Sequence, residues 1–124
     1  MNVEELADES FCYLTTTGRV TGKSHTIEIW FALREGTAYM LSGGRDHSDW
    51  VRNIVKSPEV RLRIADREFQ GRGRVVEEPD EDRIARELLV AKYQPRYSGD
   101  LNGWRERALP LAVDLVTKGI NSRS

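Results

Sequence analysis

The sequence predicts a mainly β protein of the α+β class: a small antiparallel barrel, closed or partly closed, with helices on its flanks. Three observations carry this. Short segments with period-two alternation recur along the chain, joined mostly by turns that contain glycine. Only two long helical patterns interrupt them, so the regular βαβ alternation of a parallel sheet is missing. A length of 124 residues fits a single domain spanning 1–124.

Taken in order, residues 3–9 (VEELADE) read as a short acidic helix, within an N-terminal helix or arm over 1–10. Phe11–Thr17 is rich in β-branched and aromatic residues and reads as a strand. Gly18–Lys23 is a turn, and Ser24–Leu33 is one alternating strand, with His25, Ile27, Ile29, Phe31 and Leu33 on one side and Thr26, Glu28 and Trp30 on the other. Glu35-Gly36 turns the chain into a strand over Thr37–Leu41. After Gly43-Gly44, Asp46 or Ser48 can cap a helix carrying Trp50, Val51, Ile54 and Val55, which Pro58 stops. Val60–Ala65 and Glu68–Val76 form a hairpin, and Pro79 opens the strongest helix, with its apolar face on Ile84, Leu88 and Ala91 and with Ala85 and Leu89 beside it. An irregular stretch over 94–103 precedes a final strand at Leu109–Val116, and 117–124 reads as a flexible tail. The order is β-β-β-α-β-β-α-β, with six strands.

Composition removes several function classes. Nineteen Lys and Arg against twenty Asp and Glu give a net charge of −1, which offers no general attraction to nucleic acid or anionic membranes. The apolar stretch Ala108–Val116 is broken by Pro110 and Asp114 and is far short of the ~20 residues of a membrane span. The acidic start lacks the pattern of a secretory signal, and a single cysteine, Cys12, excludes an internal disulfide; a cytoplasmic location is expected. No nucleophile-elbow pattern accompanies His25 and His47, and no spacing of ligands suggests a metal site.

The turn Gly18-Arg19-Val20-Thr21-Gly22-Lys23 brings glycines and two cations together, as a phosphate grip would, or as an ordinary hairpin turn would. Ser42-Gly43-Gly44-Arg45 runs into a helix start that could receive an anion, or could simply connect strand to helix. Trp30 on the polar side of its strand suggests an interface or a ring-shaped ligand. Arg61, Arg63, Arg72 and Arg74 suggest a basic stripe, or a solvated face balanced by nearby Glu and Asp, and Gly71 and Gly73 leave one strand face bare for a second backbone or a flat ligand.

The runs LTTTGRVTGKSHTIEIWF and SGGRDHSDWVRNIVKSPEVRLRI, then VVEEPDEDRIARELLVAKY, Tyr97, Trp104 and RALPLAV, resemble the deazaflavin-dependent nitroreductase family. That family belongs to a wider group of split-barrel flavin-binding proteins that includes pyridoxamine-phosphate oxidases. The resemblance covers residues 11–116 and implies a six-stranded antiparallel split β-barrel, a homodimer with shared clefts, and the deazaflavin coenzyme F-420, with FMN as the alternative. It further implies that Arg19, Thr21, Gly22 and Lys23 hold the cofactor from one turn, and Ser42, Gly43, Gly44, Arg45, Trp50 and Asn53 from the other. Ile27, Glu28, Ile29 and Trp30 would lie beside the ring, and Tyr93 and Tyr97 would stand near the reacting substrate. The implied activity is hydride transfer from reduced cofactor to a small electrophilic acceptor such as a quinone, enone or nitro compound. The alternatives are an FMN-dependent oxidase or reductase, and a non-catalytic carrier of a planar ligand.

Overall fold

A computed structural model describes residues 3–116. Seven strands form one antiparallel sheet: β1 (Cys12–Thr17), β2 (Ser24–Ile29), β3 (Ala32–Arg34), β4 (Thr37–Ser42), β5 (Glu59–Ile64), β6 (Arg67–Val75) and β7 (Leu109–Leu115). Three helices accompany them: α1 (Asp49–Lys56), α2 (Pro79–Tyr93) and α3 (Asn102–Arg107). Among the described residues no helix is long and apolar enough to cross a membrane.

The strand count is seven rather than six because the alternating segment 24–33 is two strands. Their order in the sheet is β2-β1-β5-β6-β7-β4-β3, so β2 and β3, neighbours in sequence, are opposite edges of the sheet. Only Trp30 and Phe31 connect them. Three peptide links reach about 11 Å, so the sheet must curl until its edges nearly meet. The seam between β2 and β3 carries no ladder pairing, which makes the barrel a split one. Alternation along 24–33 persists through the crossing, and alternation alone is blind to a change of partner.

Inside the barrel lie Cys12, Leu14, Phe31, Leu33, Met40, Leu62, Ile64, Leu111 and Val113, with Val51 and Ile54 of α1 plugging one opening and Leu6 packed against the same cluster. A second apolar layer packs outside, where α2 covers Tyr39, Leu41 and Ala112. Strand β4 is therefore buried on both faces, which explains its continuous apolar run.

Helix α2 starts at Pro79 with Glu78 as its cap, whose carboxylate accepts from the Glu81 amide at 2.7 Å. Its buried face is Ala85, Leu89 and Tyr93, at i, i+4 and i+8; Ile84 and Leu88 are half-buried and Ala91 is exposed, so the expected apolar face is rotated. Val55 of α1 is exposed, and the N-terminal segment is a 3-10 turn at Val3–Leu6. Of the stretch expected to be irregular, 97–101 has no regular structure, while a 3-10 turn at Gln94–Arg96 precedes it and α3 begins at Asn102. The expected tail at 117–124 lies outside the described residues.

Gly71 and Gly73 are buried, and their bare face is filled from within. A Cβ on Gly71 would stand 2.6 Å from Val113 Cγ1, and one on Gly73 2.9 Å from Ile54 Cγ2. The glycines thus admit β7 and α1, not a flat ligand. The arginine stripe is dispersed among partners: Arg72 pairs with Glu59, Arg63 lies over the Tyr13 ring, and Arg74 pairs with Glu81 and Asp114.

Candidate functional site

The turn from β1 to β2 closes on itself. The Gly18 amide donates to the Lys23 carbonyl at 2.7 Å, and the Gly22 amide donates to the Gly18 carbonyl at 2.9 Å. Gly22 has φ +78°, a left-handed conformation that glycine adopts without strain. Gly18 is pressed against His25, whose Nε2 would stand 2.8 Å from an added Cβ.

Arg19 ties this turn to α1. Its backbone amide and Nη1 donate to Asn53 Oδ1 at 3.2 and 3.0 Å, and Nη2 reaches Asp49 Oδ1 at 3.0 Å. Asn53 is 3% exposed and passes the connection inward, donating from Nδ2 to Thr16 Oγ1 at 3.1 Å. Lys56 Nζ donates to the Arg19 carbonyl at 3.2 Å. A cleft of about 470 Å³ opens beside this network, bordered by Arg19, Thr21, Thr26, Ile27, Trp50 and Asn53. Its floor pairs apolar surface (Ile27 and Trp50) with hydroxyls and a guanidinium.

A second cleft, about 480 Å³, opens at the other end of β2, bordered by Phe11, Glu28, Ile29, Trp30, Tyr97, Asp100 and Trp104. Trp30 is its central ring. It stacks on Tyr93 and meets Tyr97 and Trp104 edge-on, at centroid distances of 5.9 and 5.6 Å. Tyr97 is 48% exposed at the mouth.

Tyr93, by contrast, is 2% exposed. Its hydroxyl accepts from the Phe31 amide at 3.0 Å and lies 2.8 Å from the Ser10 carbonyl, to which it donates. Burial pushes this phenol up to about 12. Lys92 Nζ donates to the Phe31 carbonyl at 2.8 Å and sits 3.8 Å above the Phe31 ring; burial lowers its pKa to about 8. The end of α2 thereby pins the crossing between the two edge strands.

The expected site residues thus divide into three groups. Arg19, Thr21, Ile27, Trp50 and Asn53 meet at the first cleft, and Glu28, Ile29, Trp30 and Tyr97 at the second. Gly22, Lys23, Ser42, Gly43, Gly44, Arg45 and Tyr93 line neither. Ser42 is buried and bonds internally, donating to the Arg45 carbonyl at 2.9 Å with Ser48 Oγ also at 2.9 Å. A 3-10 turn at Arg45–His47 separates the glycine pair from α1, and the Arg45 guanidinium bonds the Arg107 carbonyl. Sequence reasoning missed Thr16, Asp49, Phe11, Asp100 and Trp104 as site walls, since each is brought in by tertiary packing.

Elsewhere, Cys12 is fully buried, and desolvation pushes its thiol up to about 12, which keeps it inert. Among the described residues no group of three or more His, Cys, Asp or Glu could hold a metal ion.

Residues 2–116 match the family model described as F420H(2)-dependent quinone reductase. No curated protein matches the sequence. Among solved structures, an F420-H2 dependent reductase is 19% identical with a TM-score of 0.68, covering 86% of this chain and 94% of its own. A conserved hypothetical protein from Mycobacterium tuberculosis is 21% identical with a TM-score of 0.69, covering 94% and 80%. A third, solved as a domain-swapped dimer, is 20% identical with a TM-score of 0.68, covering 86% and 80%. At these identities the likeness shows a shared fold.

Proposed function

The chain belongs to the F420H(2)-dependent quinone reductase family, and on that premise we propose that it passes a hydride from reduced deazaflavin to a small electrophilic acceptor: a quinone, an enone or a nitro compound. The protein is an oxidoreductase and its cofactor is F-420, which decides the choice between deazaflavin and FMN that the residues left open.

One observation supports this arrangement above others. Strand β2 and the residue that follows it wall both clefts, with Ile27 at the first and Glu28, Ile29 and then Trp30 at the second. Three residues of strand span about 10 Å, so a ring beside Ile27 and an acceptor beside Trp30 would be neighbours. The first cleft fits the cofactor: its volume of about 470 Å³ suits a planar ring against Ile27 and Trp50, and Arg19 and the Thr21 and Thr26 hydroxyls suit a phosphate. Lys23, exposed on the same turn, adds positive charge.

When bound, the deazaflavin supplies the hydride. The chain's residues bind, orient and exclude water. Arg19 holds the anionic portion while Asn53 fixes the turn that carries it. Trp30, backed by Tyr93, forms a flat wall that orients the acceptor. The Tyr97 hydroxyl, at the mouth, donates to oxygen on the acceptor as negative charge develops there. Tyr93 is a positioning residue whose hydroxyl is committed to the crossing.

A second copy of the chain would complete the site. Among the described residues the outer edge of β2 has no strand neighbour, and Val20, bordering the first cleft, is 87% exposed. Association of two copies would cover both.

Titration with oxidised and reduced F-420 and with FMN, followed by turnover of menadione, tests the reading. Binding of F-420 with oxidation of its reduced form by menadione is expected. FMN binding without F-420 binding would overturn it, and tight F-420 binding without turnover of any acceptor would favour a carrier.

A further inference from the structure

We propose that the second cleft selects planar cations, so that the protein reduces positively charged heteroaromatic acceptors in preference to neutral ones of the same shape. This rests on the placement of the acceptor beside Trp30. Four aromatic rings, Phe11, Trp30, Tyr97 and Trp104, border the cleft together with two carboxylates, Glu28 and Asp100, and among the described residues no Lys, Arg or His is in its walls. Neither carboxylate has an ion-pair partner among the described residues, whereas Asp49, Glu59, Glu81 and Asp114 each hold an arginine. Asp100 spends one oxygen on the Asn102 amide at 2.9 Å, which leaves its charge uncompensated. Lys92 and Arg96 lie over the Tyr93 ring, at 5.1 and 5.8 Å from its centroid, and are not cleft walls.

The two clefts therefore differ in charge: Arg19 at the first is paired with Asp49, whereas the carboxylates at the second have no cation among the described residues. The cleft at Arg19 suits an anion, and the cleft at Trp30 attracts a cation through ring faces and carboxylates together. Exposed carboxylates and cation–π contacts each act modestly in water, so a preference of roughly tenfold at low salt is expected.

N-methylacridinium is a suitable probe, with uncharged acridine above neutral pH as its near-isosteric control. The cation can take a hydride at the ring carbon opposite nitrogen. A C–H bond forms there, the positive charge is lost, and a neutral dihydro compound leaves. The reduced deazaflavin loses that hydride and releases one proton, and is oxidised. Because the carboxylates favour the cation before transfer, they lower KM and do not raise kcat.

Quenching of tryptophan fluorescence should report N-methylacridinium binding about tenfold tighter than acridine at low salt. The ratio should fall towards one in Asp100→Asn, which keeps an oxygen to accept from the Asn102 amide, and fall further with Glu28→Gln. KM for the cation should rise in Asp100→Asn without loss of kcat. Equal affinity of the native protein for both probes, or a ratio indifferent to both substitutions, overturns the proposal. Menadione separates the two levels. Turnover of menadione without a cation preference defeats only this inference, whereas a cation preference with no turnover of either acceptor defeats the proposed function and leaves the cleft's selectivity standing.

Discussion

The rings of Trp30 and Tyr93 lie parallel, 4.2 Å between centroids and 1° between planes, joining the end of α2 to the crossing between the barrel's two edges. Tyr93 also satisfies the buried Phe31 amide through its hydroxyl. Tyr93→Phe should keep the stack but leave that amide unpaired, lowering stability by about 1–3 kcal/mol. Urea unfolding checks this. A variant as stable as the native protein would mean the crossing holds without the hydroxyl. Tyr97→Phe, exposed at the mouth, should leave stability within about 0.5 kcal/mol and reduce menadione turnover.

Arg19, in the turn between β1 and β2, is shared between α1 and any incoming anion. Asp49, which holds it at 3.0 Å, is an internal competitor for the guanidinium. Arg19→Ala with Lys23→Ala should weaken F-420 binding, more at low salt than at high salt. Asp49→Asn should tighten it roughly two- to fivefold, the range of one exposed ion pair. Isothermal titration at two salt concentrations reads both, and tighter binding after loss of the cations would refute a charge-based grip.

Arg74 of β6 gathers two carboxylates, those of Glu81 and Asp114. Its Nη1 and Nη2 bind the Glu81 carboxylate at 2.8 Å each, and Nε meets Asp114 Oδ2 at 2.7 Å. Tyr39 donates to Glu81 at 2.7 Å. The bond to Arg74 is the chief reason Glu81 falls from 4.5 to about 2, and it lowers Asp114 as well. Both carboxyls titrate lower in the folded chain than in the unfolded chain, so their stabilisation is present above the ordinary carboxylate range. It is lost as pH drops from about 4.5 towards about 2. Thermal melts across that interval should show Glu81→Gln with a shallower acid loss than the native protein; parallel curves would remove Glu81 from the account.

Gly71 has no room for a methyl group: Val113 Cγ1 would stand at 2.6 Å and the Asp114 carbonyl oxygen at 3.3 Å. Gly71→Ala should cost about 1–3 kcal/mol through overpacking, despite the entropy that alanine removes from the unfolded chain. A melting temperature equal to or above that of the native protein would show that β7 can yield.

The sequence by itself determined the local elements. Alternation marked the strands, Glu78 and Pro79 marked the start of α2, and Glu35-Gly36, both at positive φ, marked a tight hairpin. These are signals between residues close in the chain, where backbone preference and side-chain period act directly. The motif residues of the first cleft were legible because Arg19, Thr21, Ile27, Trp50 and Asn53 sit in two short runs.

Tertiary structure alone decided the rest. The run 24–33 changes sheet edge at Trp30-Phe31 without breaking its period, so two strands read as one. The glycines of β6 face β7 and α1, partners that composition cannot name. Asp49 became a rival for Arg19, and Asp100 came beside Glu28, only because a closed sheet brings distant segments together. A pattern records which face of an element is apolar. It does not record what that face will meet, since that depends on how the whole sheet curls to bury it.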